Sequence, residues 1–125
     1  MKTLDELDPP PWDAPDFDSH LVVTCHRLRG KKIGEFTVED LRIMIGQRIG
    51  PQWLVPLALD VLERDPLSEG NFYPGDLLAN ILHLPAEFWS RDLESRDRVK
   101  VLLEKMPEIP EELNDAVRAF REHTA

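Results

Sequence analysis

A single cysteine, Cys25, stands in 125 residues, which rules out an internal disulfide and any Cys-x-x-Cys zinc or redox pair. Long apolar runs are missing too: charges and prolines interrupt every hydrophobic segment before the ~18 residues that a membrane span needs. No basic start followed by an apolar stretch marks an export signal, so the expected setting is a reducing cytoplasm. Positive charge is scarce, with 15 Lys and Arg against 24 Asp and Glu and a net charge of -9. That field repels phosphate backbones and anionic lipid, so neither nucleic acid nor a membrane is expected as partner, and it favours a basic protein partner or simple solubility. The sequence also has no phosphate loop, no Gly-x-Ser-x-Gly elbow and no His-Glu-x-x-His pair.

What is present suffices for one core. The length and the 42% hydrophobic content match a single globular domain, expected over residues 19–125. Residues 1–18 read as an acidic arm: Asp5, Glu6, Asp8, Asp13, Asp16 and Asp18 surround Pro9, Pro10 and Pro11, and only Leu4, Leu7, Trp12 and Phe17 are there to bury. A proline run favours extended backbone and partial order.

From Ser19 the pattern turns helical. Leu21, Cys25 and Leu28 share a face, Asp18 or Ser19 is placed to cap, and Gly30 ends the run beside Arg27, Arg29, Lys31 and Lys32, cations that suit a helix C-terminus; Val22 and Val23 leave a strand open. Thr37 and Asp40 make a shortened capping box before Leu41, Met44, Ile45, Arg48 and Ile49, the clearest helix in the chain. Another begins at Pro51 with Trp53, Leu54, Leu57, Ala58, Val61 and Leu62 inward, kinked at or starting near Pro56. Leu77, Leu78, Ile81 and Leu82 form a short helix ending near His83, and Phe88 and Trp89 fall in a turn after Pro85. Ser90 is placed to cap a helix reaching Lys105 that buries Leu93, Val99, Leu102, Leu103 and Met106, and Pro110 opens a last one with Leu113, Val117 and Phe120 inward. The expected fold is all-α, a single compact bundle of about five or six helices.

Catalytic chemistry finds little support. Cys25 adjoins His26, but on a helix the two lie about 100° apart and point to different surroundings, so Cys25 reads as core. His20, His26, His83 and His123 have no metal-ligand spacing. The segment Asp65-Pro66-Leu67-Ser68-Glu69-Gly70-Asn71-Phe72-Tyr73-Pro74-Gly75-Asp76 places acids near calcium-loop positions, yet Leu67 offers no side-chain oxygen at the third and the last is not glutamate. No cofactor or metal is expected. The same loop carries two aromatic rings, costly to leave in water unless the fold or a partner covers them.

Three blocks recur in fixed order: Phe36-Thr37-Val38-Glu39-Asp40-Leu41-Arg42-Ile43-Met44-Ile45-Gly46-Gln47, then Leu54-Val55-Pro56-Leu57-Ala58-Leu59, then Pro66-Leu67-Ser68-Glu69-Gly70-Asn71-Phe72-Tyr73-Pro74-Gly75-Asp76-Leu77-Leu78. Together they resemble the immunity proteins of bacterial contact-dependent growth inhibition, from about Leu21 to Leu84, with a departure at Asn71 where the pattern has aspartate. The arm and the helices after Pro85 match less well, and toxin specificity is expected there. The resemblance implies a non-enzymatic inhibitor that binds the C-terminal toxin domain delivered by a neighbouring cell, by analogy a nuclease with a basic surface. An acidic adaptor or regulatory helix bundle with another partner is the alternative, followed by a small enzyme.

Within the shared blocks, Glu39, Asp40 and Arg42 read as cap and surface ion pairs, Gly46 and Gln47 as close helix packing and a buried amide, and Pro74 and Gly75 as turn formers. Phe72 and Tyr73 are expected to plug the bundle, with the Tyr73 hydroxyl wet. The toxin-facing surface is sought among acids: Glu63, Asp65, Glu69 and Asp76 near the loop, and Asp13 and Asp16 in the arm. Unpaired apolar loop residues leave a homodimer open.

Overall fold

Local sequence signals start most of the helices, and packing decides which faces they bury. The structure, a computed structural model, describes residues 1–10 and 19–125. Among these residues eight α-helices occur in chain order: α1 Leu4–Leu7, α2 His20–Arg29, α3 Val38–Gly46, α4 Pro51–Arg64, α5 Asp76–Leu82, α6 Ala86–Arg91, α7 Leu93–Lys105 and α8 Asn114–His123. Strand pairing among them is limited to isolated bridges, Thr3 with Lys32 and Glu69 with Pro74. The protein is all-α, and its helices exceed the expected number because α1 and α6 are single short turns.

Caps explain several boundaries. Thr37 Oγ1 accepts from the Asp40 N–H at 3.1 Å while the Asp40 carboxylate accepts from the Thr37 N–H at 3.1 Å, a reciprocal box that satisfies two donors at the start of α3. Ser19 caps α2. Asp92, not Ser90, caps α7, accepting from the Ser95 N–H at 3.0 Å; Ser90 lies inside α6, which replaces the turn expected around Phe88 and Trp89. Pro56 is carried within α4. The hydrogen bond it lacks would have ended on Gln52, an exposed residue where water can take the carbonyl.

Helices α3 and α5 pack closely, α4 lies on α3 and α7, and α8 closes over α5. Met44, Ile45, Leu54, Leu59, Leu62, Leu77, Leu78 and Ile81 are fully buried between them. Trp89 joins the far end, its ring edge-on to Phe88 at 4.9 Å and to Phe120 at 5.0 Å, while its indole N–H donates to the Leu84 carbonyl at 3.2 Å.

Two expected inward faces and one expected backbone state are corrected. Leu21 and Leu93 stand at the surface, and in α2 Thr24 is buried along with Cys25 and Leu28. At the N-terminus, α1 is helical where extended backbone was expected. Thr3 and Glu6 form a capping box, Leu4 is fully buried, and Asp5 pairs with the buried Arg29 at 2.9 Å. Burying one leucine and neutralising one interior guanidinium is what fastens these residues.

Candidate functional site

The loop between α4 and α5 begins with local turns. Asp65 Oδ1 accepts from the Leu67 N–H at 3.2 Å, and the Asp65 carbonyl accepts from the Ser68 hydroxyl at 2.8 Å, which folds the chain back on itself. The Gly75 N–H returns to the Leu67 carbonyl at 3.2 Å. Gly75 has φ 91°, the left-handed region that glycine enters without steric cost, and a Cβ there would meet Leu113 and Leu67 at 3.2 and 3.3 Å.

Two carboxylates then organise the tip. Asp76, only 3% exposed, accepts from the Gly70 N–H at 2.6 Å through Oδ1, and from the Phe72 and Tyr73 N–H groups at 3.0 and 3.4 Å through Oδ2. Glu39, from the first turn of α3, accepts from the Asn71 N–H at 2.9 Å. Arg42, one turn further along α3, grips Glu39 in bidentate fashion, with Nε and Nη2 each at 2.6 Å, and lies 3.8 Å from Asp76. Charge-assisted bonds of this kind are short and directional. The Arg42 hydrogen bonds hold the Glu39 carboxyl below its ordinary range, and Glu39 in turn raises the Arg42 guanidinium.

Gly70 fits beneath this network because it has no side chain: a Cβ would lie 2.5 Å from Glu39 Oε1 and 3.1 Å from both Arg42 Cδ and Asp76 Oδ2. Below it, Asn80 of α5 donates to the Arg42 carbonyl at 2.8 Å. Gly46 allows that approach, since a Cβ there would come 2.7 Å from Asn80 Nδ2. Gln47, expected to supply a buried amide, is exposed, and Asn80 supplies the inter-helix amide bond instead. The sequence offered no signal for Asn80 beyond its place between the apolar residues of a short helix.

Phe72 does not plug the bundle. The residue is 69% exposed, and the Arg42 guanidinium lies 4.2 Å from its ring centroid, a cation–π seat. Tyr73 is half-buried against the core. Both residues donate their backbone N–H to Asp76, yet only Tyr73 packs against the core.

Among the described residues, the acids expected to face the toxin have different surroundings. Asp76 is interior and fully engaged, so it is not a surface group. Glu63 pairs with Arg98 at 2.6 Å, and Arg98 also reaches Asp60 at 2.8 Å; these bonds hold the Glu63 carboxyl below its ordinary range. Asp65 is exposed but braces the loop, Glu69 is exposed on the bridge to Pro74, and Asp13 and Asp16 lie outside the described residues. Two members of the basic cluster at the end of α2 are engaged internally: Arg29 with Asp5, and Lys31 with Asp40 at 2.7 Å.

Cys25 is buried, and burial pushes its thiol up, away from the reactive thiolate. Among the described residues no three His, Cys, Asp or Glu side chains gather to hold a metal ion, and no helix is long and apolar enough to cross a membrane.

No match to the chain is found among curated proteins. The family model described as CDI immunity proteins matches residues 6–99, a span that contains all three sequence blocks, the α4–α5 loop and the Glu39–Arg42–Asp76 network. It reaches beyond the blocks into α1 and most of α7 and leaves α8 outside, and by this match the chain belongs to the CDI immunity proteins.

Proposed function

We propose that the chain binds and neutralises the C-terminal toxin domain of its own contact-dependent growth inhibition system. It acts in the cytoplasm by occupancy and not by catalysis. The observation that carries this reading is the family match over residues 6–99. The geometry agrees with it: Glu39, Arg42 and Asp76 turn toward one another and toward loop amides, which builds a rigid surface and leaves no acid–base pair aimed at a substrate.

The net charge of -9 supports a basic toxin, such as a nuclease, whose association would be steered by the field of the whole chain. With Asp76 interior, the surface acids of this region are Glu63, which is paired with Arg98, Asp65 and Glu69, so steering rests on distributed charge.

Co-expression with the toxin domain encoded immediately upstream tests the proposal. A stable purified complex together with growth restored only in the presence of this chain is the expected result. No complex and no rescue would overturn it. Association of the purified partners should also slow as salt rises, and a salt-independent rate would remove the steering argument.

A further inference from the structure

We infer that Phe72 is the central anchor of the toxin-binding surface, entering an apolar pocket rimmed by cations on the toxin; this rests on the toxin-neutralising reading above. Burying a phenylalanine ring is favourable, and at 69% exposure Phe72 forgoes most of that gain in the free protein. Exposure alone does not mark an anchor, since Leu21, Val23, Leu93 and Val101 are also exposed. Those four lie on helices as isolated side chains, which is normal for a protein surface.

Phe72 differs in being built into place. Its own N–H and those of residues 70 and 73 are fixed by Asp76, the N–H of residue 71 by Glu39, and its ring rests on Arg42, itself clamped by two 2.6 Å bonds. Immobilising a side chain on binding costs entropy, and here backbone and ring seat are set beforehand. Rigid aromatic anchors of this kind dominate interface energetics.

Charge selects the occupant. Glu69 stands exposed in the same loop, bridged to Pro74, and Arg42, the cation lying against the ring, is paired with Glu39 and lies near Asp76. A second copy of this chain would set -9 against -9, and an anionic lipid surface is repelled in the same way. A cationic protein surface with an apolar pocket fits both the ring and its rim.

The test compares binding of a catalytically inactivated cognate toxin domain to the unaltered chain and to Phe72→Ala, Glu69→Lys and Leu93→Ala. Phe72→Ala should weaken the Kd by at least about 30-fold, mainly through faster dissociation, with an unchanged melting temperature. Glu69→Lys should chiefly slow association, and Leu93→Ala should stay within about 3-fold of the unaltered chain. Phe72→Ala binding within about 3-fold of the unaltered chain would overturn the anchor while leaving the immunity reading intact. Failure of the unaltered chain to bind would overturn both. A Phe72-dependent dimer of the free chain with undiminished toxin binding would overturn the anchor in favour of self-association.

Discussion

Gly70 and Glu39 occupy the same small volume: a Cβ on residue 70 would sit 2.5 Å from Glu39 Oε1. Residues 31 positions apart are thereby made mutually dependent, the loop on the carboxylate and the carboxylate on the absence of a side chain. Glu39 is flexible by nature, but it is held by Arg42 on one side and by the Asn71 N–H on the other, so it cannot yield without breaking one of them. Gly70→Ala should cost about 1 to 2 kcal/mol, read as a lower urea midpoint, and should speed proteolytic cleavage within the loop.

Asp76→Asn tests the centre of the network. The carboxylate offers two acceptor oxygens to three N–H groups, and an amide has one oxygen and an NH2 that would face a donor. Loss of stability by about 2 to 4 kcal/mol is expected from the unsatisfied buried amides. Chemical denaturation measures it, and near-neutral behaviour would show that the loop closes without this residue.

Acid should unfold the protein in a defined window. Hydrogen bonds from Arg42 hold Glu39 below its ordinary 4.5. Burial pushes Asp40 upward, but the bonds from Lys31 and Thr37 outweigh it and leave that carboxyl below 3.8. Both folded values are depressed, so the unfolded chain takes up protons first. The stability they confer is complete above the ordinary values and is lost as pH falls through the folded ones. Urea midpoints should be flat near neutrality with respect to these two groups and drop below about pH 4.5. Lys31→Ala should lower stability at neutral pH and flatten the drop.

The first turn of the chain is expected to carry real stability. Leu4 is fully buried, and Leu4→Ala should cost about 2 to 4 kcal/mol through lost transfer energy and a residual cavity. Leu93→Ala, at a residue 50% exposed, should cost under about 0.5 kcal/mol. Thermal denaturation of the pair separates a docked α1 from a dispensable one.

Much of the helical pattern was legible because helix formation is local. Thr37 and Asp40 mark the start of α3 within four residues of chain, and Leu113, Val117 and Phe120 repeat at a spacing that only a helix brings to one face. Where the reading went astray, a residue's environment depended on a partner distant in sequence. Leu93 has the spacing of a core residue but stands half exposed. Ser90 is as good a cap as Asp92, and the choice fell to where α6 ends.

Sequence alone settled that this chain is an all-α protein with a compact Pro- and Gly-rich loop between two helices, since capping, periodicity and turn chemistry act over a few residues. Tertiary structure decided which groups that loop conceals and which it presents. Asp76, one of several acids in the sequence, became interior because three loop amides converge on it. Phe72, one of two adjacent aromatics, became exposed because α3 brings Glu39 and Arg42 beneath it. Neither outcome follows from residue type: burial is a property of the surfaces that meet, and these meet only after α3 and α5 have packed.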